Sequence, residues 1–191
     1  MMPIQAVAVD FETTGSVPGY PNEPWQIGLA PIRAGEIGDD LFDSLLNIGD
    51  RPFNKFAPGR HAQLRGRLAV APTLHELWSN VASRLAGAVL VAHNIGTERS
   101  ILSAAAPLHV FGPWIDTLVL ARAAWPNLET YALEDLTIRF GFGEAVSRLC
   151  PGRAPHDALY DAVACALLLV HLLRQPGWGD LSAMELAQMC S

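Results

Sequence analysis

The feature that most constrains the fold is a short run near the N-terminus. Residues 4–9 are almost wholly apolar and end abruptly in Asp10-Phe11-Glu12. Such a run reads as a central strand buried on both faces. Side chains alternate along a strand, so Asp10 and Glu12 point to one side and Phe11 to the other. Two carboxylates side by side at the end of a buried strand repel each other, and are tolerable if a hard cation lies between them. The plainer alternative is a strand leaving the core and meeting water; the D-x-E pattern alone does not separate the two.

The rest of the pattern predicts strands at 25–32 and 40–48 around a Gly-containing turn at 34–38, then a polar surface loop over 49–67. Thr73 and Glu76 form a capping box ahead of Leu74, Leu77, Trp78, Val81 and Leu85 at helical spacing. A buried strand at 88–92 follows, then a helix at 97–106, a short strand or turn after Pro113, and helices at 116–124, 131–140, 157–173 and 181–189. Strands first, then strand and helices alternating, imply an α/β sandwich with a mixed sheet. The 191 residues fit one domain, expected over 1–175, with a short helical tail at 176–191.

No apolar run is long enough to span a bilayer, and the opening MMPIQAVAVDFE lacks a basic region followed by a cleavage site. Cys150, Cys165 and Cys190 are few, odd in number and not in metal-ligand spacing. The expectation is a reducing cytoplasm and no membrane partner. The formal charge of −6 argues against coating long duplex nucleic acid by electrostatics alone. It leaves room for a nuclease holding a few terminal nucleotides, because bound divalent cations reverse the local sign.

Two further blocks carry acids at element ends. In the first, Ala92-His93-Asn94 closes a strand and Glu98 follows, in the first turn of the next helix if Thr97 caps it. A carboxylate there is favoured by the helix dipole by about 0.3–1 kcal/mol, and His93 and Asn94 could be ordinary loop residues bonding the backbone. In the second, His156-Asp157-Ala158-Leu159-Tyr160-Asp161 opens the longest helix. Asp161 is the one charge on a stripe of Ala158, Ala162, Cys165, Leu168, Leu169 and Leu172, so a cation or strong donor must meet it. Arg153 is the alternative partner. Asp157 as N-cap leaves His156 just outside the helix, able to face the same site as Asp161.

Taken together the blocks supply four carboxylates and a histidine, the parts for two-metal phosphodiester hydrolysis. The motifs Val9-Asp10-Phe11-Glu12-Thr13-Thr14-Gly15, Ala92-His93-Asn94 with Glu98, and His156-x-Ala158-x-x-Asp161-Ala162 resemble those of the DEDDh 3′→5′ exonucleases. That family includes the proofreading epsilon subunit of bacterial DNA polymerase III, ribonuclease T and oligoribonuclease. Trp25-Gln26-Ile27-Gly28, Ala71-Pro72-Thr73 and Asp116-Thr117-Leu118 extend the resemblance between the motifs.

The resemblance implies a ribonuclease-H-like fold, a central mixed five-stranded sheet flanked by helices. It implies two divalent ions, Mg²⁺ or Mn²⁺, held by Asp10, Glu12, Glu98 and Asp161, with His156 as general base, and single-stranded DNA or RNA 3′ ends as substrate. Imidazole suits proton transfer near neutral pH. Asp157 occupies the position where another branch of the superfamily has tyrosine, which favours the histidine branch. Substrate contacts are expected from Thr13, Thr14, His61 and Asn94. Some relatives are dimers, so a homodimer is compatible with the resemblance.

Two departures stand out. Relatives usually carry Phe-Asp in the second motif, whereas this chain has Thr97-Glu98. The added methylene gives about 1.5 Å more reach, in a site where metals sit about 3.5–4 Å apart. Beyond Leu173 there is one short helical candidate, which speaks against stable attachment to a replicative polymerase. Two other classes therefore stay open: a noncatalytic nucleic-acid-binding module with a degenerate second metal site, and a structural subunit using its C-terminal helix as an interface.

Overall fold

The computed structural model describes residues 4–190. Residues 1–3, at the start of the stretch read above for a leader, and Ser191, at the end of the expected tail, lie outside the described residues.

Strand β1 (Ala6–Thr13) pairs antiparallel with β2 (Pro24–Arg33), with Asp10 opposite Gly28. On its other side β1 runs parallel to β5 (Val89–Ala92), which pairs in parallel with β6 (Trp114–Asp116). The free side of β2 carries two short antiparallel strands, β3 (Glu36–Ile37) and β4 (Phe42–Leu45). The mixed sheet therefore has six strands where five were expected. The difference is a break in one ribbon, since β3 and β4 share the same edge of β2. The turn between β2 and β3 places Ala34 at φ 53° and Gly35 at φ 78°, the left-handed conformations a two-residue hairpin needs. The strand predicted over 40–48 stops early because Asn47 N–H turns away to the Pro72 carbonyl.

Helices cover both faces. Helix α1 spans His61–Leu68, α2 Leu74–Leu85, α3 Gly96–Ala105 and α4 Thr117–Ala124. They are followed by α5 (Leu133–Arg139), α6 (Gly143–Leu149), α7 (Ala158–Leu173) and α8 (Ala183–Met189). Among the described residues no helix is long and apolar enough to cross a membrane. The capping box at Thr73 and Glu76 is formed. Helix α1 replaces part of the expected loop; it has no side-chain cap and buries only Leu68, so it leaves no amphipathic signature. Helix α6 falls in a stretch for which the pattern predicts no element; its seven residues bury only Val146, too little to show a helical period. Helix α3 starts at Gly96 without a side-chain cap, so Thr97 lies inside its first turn and does not cap it.

The alternation of β1 divides two cores. Val9 and Phe11 join Ile27, Leu29 and Leu90 on the face covered by α2 and α3. Ala6 and Ala8 join Ala30, Ile32 and the buried side of α7 on the other face. Leu186 of α8 is buried in that second core, with Leu181 and Ala187 packed against it. Small residues line the α7 face because helix and sheet meet closely there. At Gly28 a Cβ would lie 2.2 Å from the Ala158 carbonyl oxygen, so any larger residue displaces the first turn of α7.

Gly28→Ala is therefore expected to destabilise by about 1–3 kcal/mol, the cost of overpacking, in urea denaturation. Gly66→Ala, in α1 where nothing lies within 4 Å of the new methyl, is expected to be neutral or stabilising by up to about 1 kcal/mol. Equal effects at the two positions would refute the close-approach account.

Candidate active site

The α7 face of β1 ends in Asp10 and Glu12, as strand alternation requires, while Phe11 is buried in the opposite core. Helix α7 brings the partners. Its N-cap Asp157 accepts the N–H groups of Leu159 (3.2 Å) and Tyr160 (3.4 Å). His156, just before the cap, adopts φ 63° and donates its N–H to Asp161 Oδ2 at 3.0 Å. Glu12, His156 and Asp161 each offer a ligand atom, all within 4.8 Å of one another.

Glu98 enters from the first turn of α3 and is only 4% exposed. Its Oε2 is buried without a hydrogen-bond partner among the described residues. An unpartnered buried carboxylate oxygen is costly unless a cation meets it. Asp10 lies between the two halves, facing the negative charge of Asp161, Glu98 and Glu12.

The electrostatics follow from burial first and mutual repulsion second. Burial, then Asp161 and Asp157, push Glu12 up to about 8. Asp10 is raised well above the usual carboxylate range, by burial and then by its acidic neighbours. Burial lifts Glu98 to about 7, against the opposing pull of backbone N–H groups at Glu98 and Phe11. Burial also lifts Asp161 to about 7, with the His156 N–H working the other way. Among the described residues no Lys or Arg pairs with any of the four. Arg153, the alternative partner for Asp161, instead bonds Asp157 at 2.7 Å and Asp43. An oxygen-rich set with one imidazole and no cationic side chain fits hard divalent ions.

Asp10, Glu12, Glu98 and His156 border an open cleft of about 600 Å³ that also takes in Thr13, Asn94 and Thr97. Asn94, at φ 71°, is exposed, and its backbone N–H is held by Asp116 Oδ1 at 2.9 Å. The same carboxylate group accepts Ile95 N–H at 3.2 Å and Leu118 N–H at 2.9 Å, fixing the approach to α3 and the start of α4 together. His93 also borders the cleft, but both its nitrogens are engaged: Nε2 with the Tyr131 carbonyl at 2.8 Å and Nδ1 with Thr117 Oγ1 at 2.9 Å. Burial lowers its pKa, consistent with a neutral structural ring.

Two expected contact residues are not brought to the cleft. Thr14 is buried; its hydroxyl accepts Glu23 N–H at 3.1 Å and its own N–H goes to the Glu23 carbonyl. His61 begins α1, stacked on Phe53 with centroids 4.2 Å apart and edge-on to Trp25. What sequence reasoning missed is the rim: Asn54, Phe56, Ala57 and Pro58 line the cleft from the segment read as loop. Asn54 ties that rim to the segment after Glu12: its N–H donates to the Thr14 carbonyl at 2.8 Å, and its Nδ2 donates to the Ser16 carbonyl at 2.7 Å. The available signal was an aromatic, Phe56, between Lys55 and Ala57 in a segment otherwise read as surface loop.

With this geometry in view, the chain can be set beside known proteins. The RNase_T exonuclease family model matches residues 7–169. The DNA polymerase III subunit epsilon-like protein of Rhodobacter capsulatus is 32% identical over 171 residues, covering 87% of this chain and 23% of that protein. Exodeoxyribonuclease 10 of Escherichia coli K12 is 28% identical over 175 residues, covering 89% of this chain and 69% of the relative. This chain thus spans about a quarter of the first relative's length and about two thirds of the second's. Among solved structures, exonuclease X in complex with 5′-overhanging duplex DNA superposes with a TM-score of 0.73 at 26% identity, covering 97% of this chain and 99% of that one. Its mixed sheet flanked by helices, its acidic cleft and these matches agree: the chain belongs to the exonuclease family.

Proposed function

We propose that the chain is a DEDDh-type exonuclease that removes nucleoside monophosphates from single-stranded DNA or RNA 3′ ends. The observation that carries this reading is the meeting of Glu12, His156 and Asp161 within 4.8 Å, opposite the orphan Oε2 of Glu98. Asp10, Glu12, Glu98 and Asp161 would hold two Mg²⁺ or Mn²⁺ ions, which when bound supply Lewis-acid stabilisation of the phosphoryl charge and an activated water.

His156 takes the proton of the attacking water; it sits at the mouth of the cleft, exposed enough to pass that proton to solvent. The Asp161 bond to its backbone N–H holds the histidine loop in register with the carboxylates. Thr13 and Asn94, both bordering the cleft, position the terminal nucleotide. Glu98 stands in the first turn of α3 with its Oε2 unpartnered among the described residues, and would supply that oxygen to the second ion.

Purified protein with Mg²⁺ or Mn²⁺ and an oligonucleotide should release a 3′ label at once as mononucleotide, and give a shortening ladder from a 5′ label. Asp10→Ala should abolish release, and His156→Ala should lower kcat by about 10²–10⁴-fold. Binding without release in either metal would replace the exonuclease with a noncatalytic binding module; release from the 5′ end would reverse the proposed polarity.

The carboxylate shifts give a second check. Folded and metal-free, Glu12 keeps its proton up to about pH 8, and Glu98 and Asp161 up to about pH 7. Unfolded, such groups lose it near about pH 4. Between those values the folded state holds more protons than the unfolded, so stability is highest below the unfolded pKa and falls as pH rises through the folded one. A tenfold change in proton affinity is about 1.4 kcal/mol, or about 3–6 °C of Tm in a chain of this size. The Tm with EDTA should therefore fall by several degrees from pH 5 to pH 8.5. Mn²⁺ should raise it more at the upper end than at the lower, and Glu12→Gln should flatten the fall. A metal-free Tm independent of pH would contradict the picture of uncompensated buried acids.

A further inference from the structure

Five of the chain's 13 Lys and Arg residues lie between Arg51 and Arg67, and none of its 19 Asp and Glu residues does. In a chain of net charge −6 this is a local reversal of sign, and it borders the acidic cleft. Two of the five are committed to structure: Arg51 pairs with Glu23 at 3.1 Å and Arg60 with Asp157 at 3.5 Å. The other three, Lys55, Arg65 and Arg67, are exposed and have no carboxylate partner among the described residues.

Their placement is ordered by aromatic contacts. Phe56 lines the cleft yet is 81% exposed, an unusual position for a phenylalanine ring, with Lys55 Nζ 4.7 Å from its centroid. Phe53 stacks on His61, which packs edge-on to Trp25 of β2, and the Arg65 guanidinium lies over the Phe53 ring at 5.1 Å. Lys55 and Arg65 thus each sit against a ring, Arg67 follows Arg65 in the last turn of α1, and one bare ring, Phe56, stands on the rim of the cleft.

Resting on the exonuclease reading, we infer that this segment is the track for the strand behind the scissile end. An unpaired base behind the terminal nucleotide stacks on Phe56, while Lys55, Arg65 and Arg67 take successive backbone phosphates. The occupant is single-stranded: an exposed ring needs an unstacked base face, and unpaired cations on a surface otherwise negative need a flexible polyanion that meets only this edge. The same chemistry accepts DNA and RNA, since neither stacking nor phosphate pairing reads the 2′-hydroxyl.

The test measures binding without turnover. Fluorescence anisotropy of a labelled twelve-nucleotide single strand is followed against NaCl in a His156→Ala background with Mg²⁺. Replacing Lys55, Arg65 and Arg67 with Gln is expected to weaken binding at least tenfold at low salt. It should also reduce the slope of log Kd against log salt by about 2, three phosphates at about 0.7 each. Phe56→Ala should weaken binding about tenfold and Phe56→Trp should restore it. Arg139→Gln with Arg148→Gln, on α5 and α6, should change neither affinity nor slope.

An unchanged salt slope in the triple variant, or an unaffected affinity in Phe56→Ala, would overturn the track. Because the readout needs no cleavage, its failure is separate from failure of the exonuclease reading. A wild-type protein that cleaves strands while the triple variant binds with the same slope loses the track alone. One that binds along the track but never cleaves loses the exonuclease reading alone.

Discussion

The contact between β2 and the first turn of α7 is the constraint on which the rest depends. Backbone meets backbone at Gly28 and Ala158, with no side chain between them. That approach sets how far α7 stands from β1, and so how far Asp161 and His156 stand from Glu12. Gln26, one pleat along from Gly28, reinforces it by accepting Ala158 N–H at 3.4 Å and donating to Asp43 at 2.9 Å. Small residues on both surfaces, Ala8 and Ala30 on the sheet and Ala162 and Ala166 on the helix, continue the close packing away from the site.

The scaffold needs such anchoring because the cleft opposes its own assembly. Four carboxylates crowd one end of the sheet, three of them raised by burial to about 7 or 8 and Asp10 raised as well. A cation from the protein would relieve the repulsion and also block the site. The Arg153 guanidinium is instead drawn off by Asp43 and Asp157. Asp157 is held well enough that its pKa is lowered despite burial, chiefly by the Arg153 bonds. The ion pairs thus clamp the entrance to α7 while leaving Asp161 without a cationic side chain among the described residues.

What could be read in advance was what local pattern controls. Alternation put Asp10 and Glu12 on one face, helical periodicity put Asp161 on the buried stripe of α7, and the caps at Thr73 and Asp157 formed as their residue types required. The errors lie where tertiary contacts decide. Helix α1 is held by one buried leucine and an aromatic stack, neither visible as a period, so His61 was assigned to a loop facing the nucleotide when its ring faces Phe53. Thr14 follows the first motif as its neighbour Thr13 does, but the register shift at Glu12/Thr13 breaks the alternation, and its hydroxyl is taken up by Glu23 N–H. The start of α3 is fixed by Asp116, some twenty residues away in sequence, and no local cap at Thr97 marks it. The rim at Asn54 and Phe56 joins the site only through bonds to residues 14 and 16.

Those last bonds also brace the cleft. Through Asn54, the rim is fastened to the turn that follows Glu12, and that turn is fastened to β2 by Trp25 Nε1 bonding the Thr13 carbonyl at 3.1 Å. Floor and rim on that side form one body. On the other side His156, in a left-handed conformation, gives its N–H to Asp161 one residue ahead of the ion-paired Asp157. Both walls of the cleft are therefore tied to the sheet and to α7 through the backbone of the residues beside the acids, so a change in either tether would be felt first in the spacing of the carboxylates.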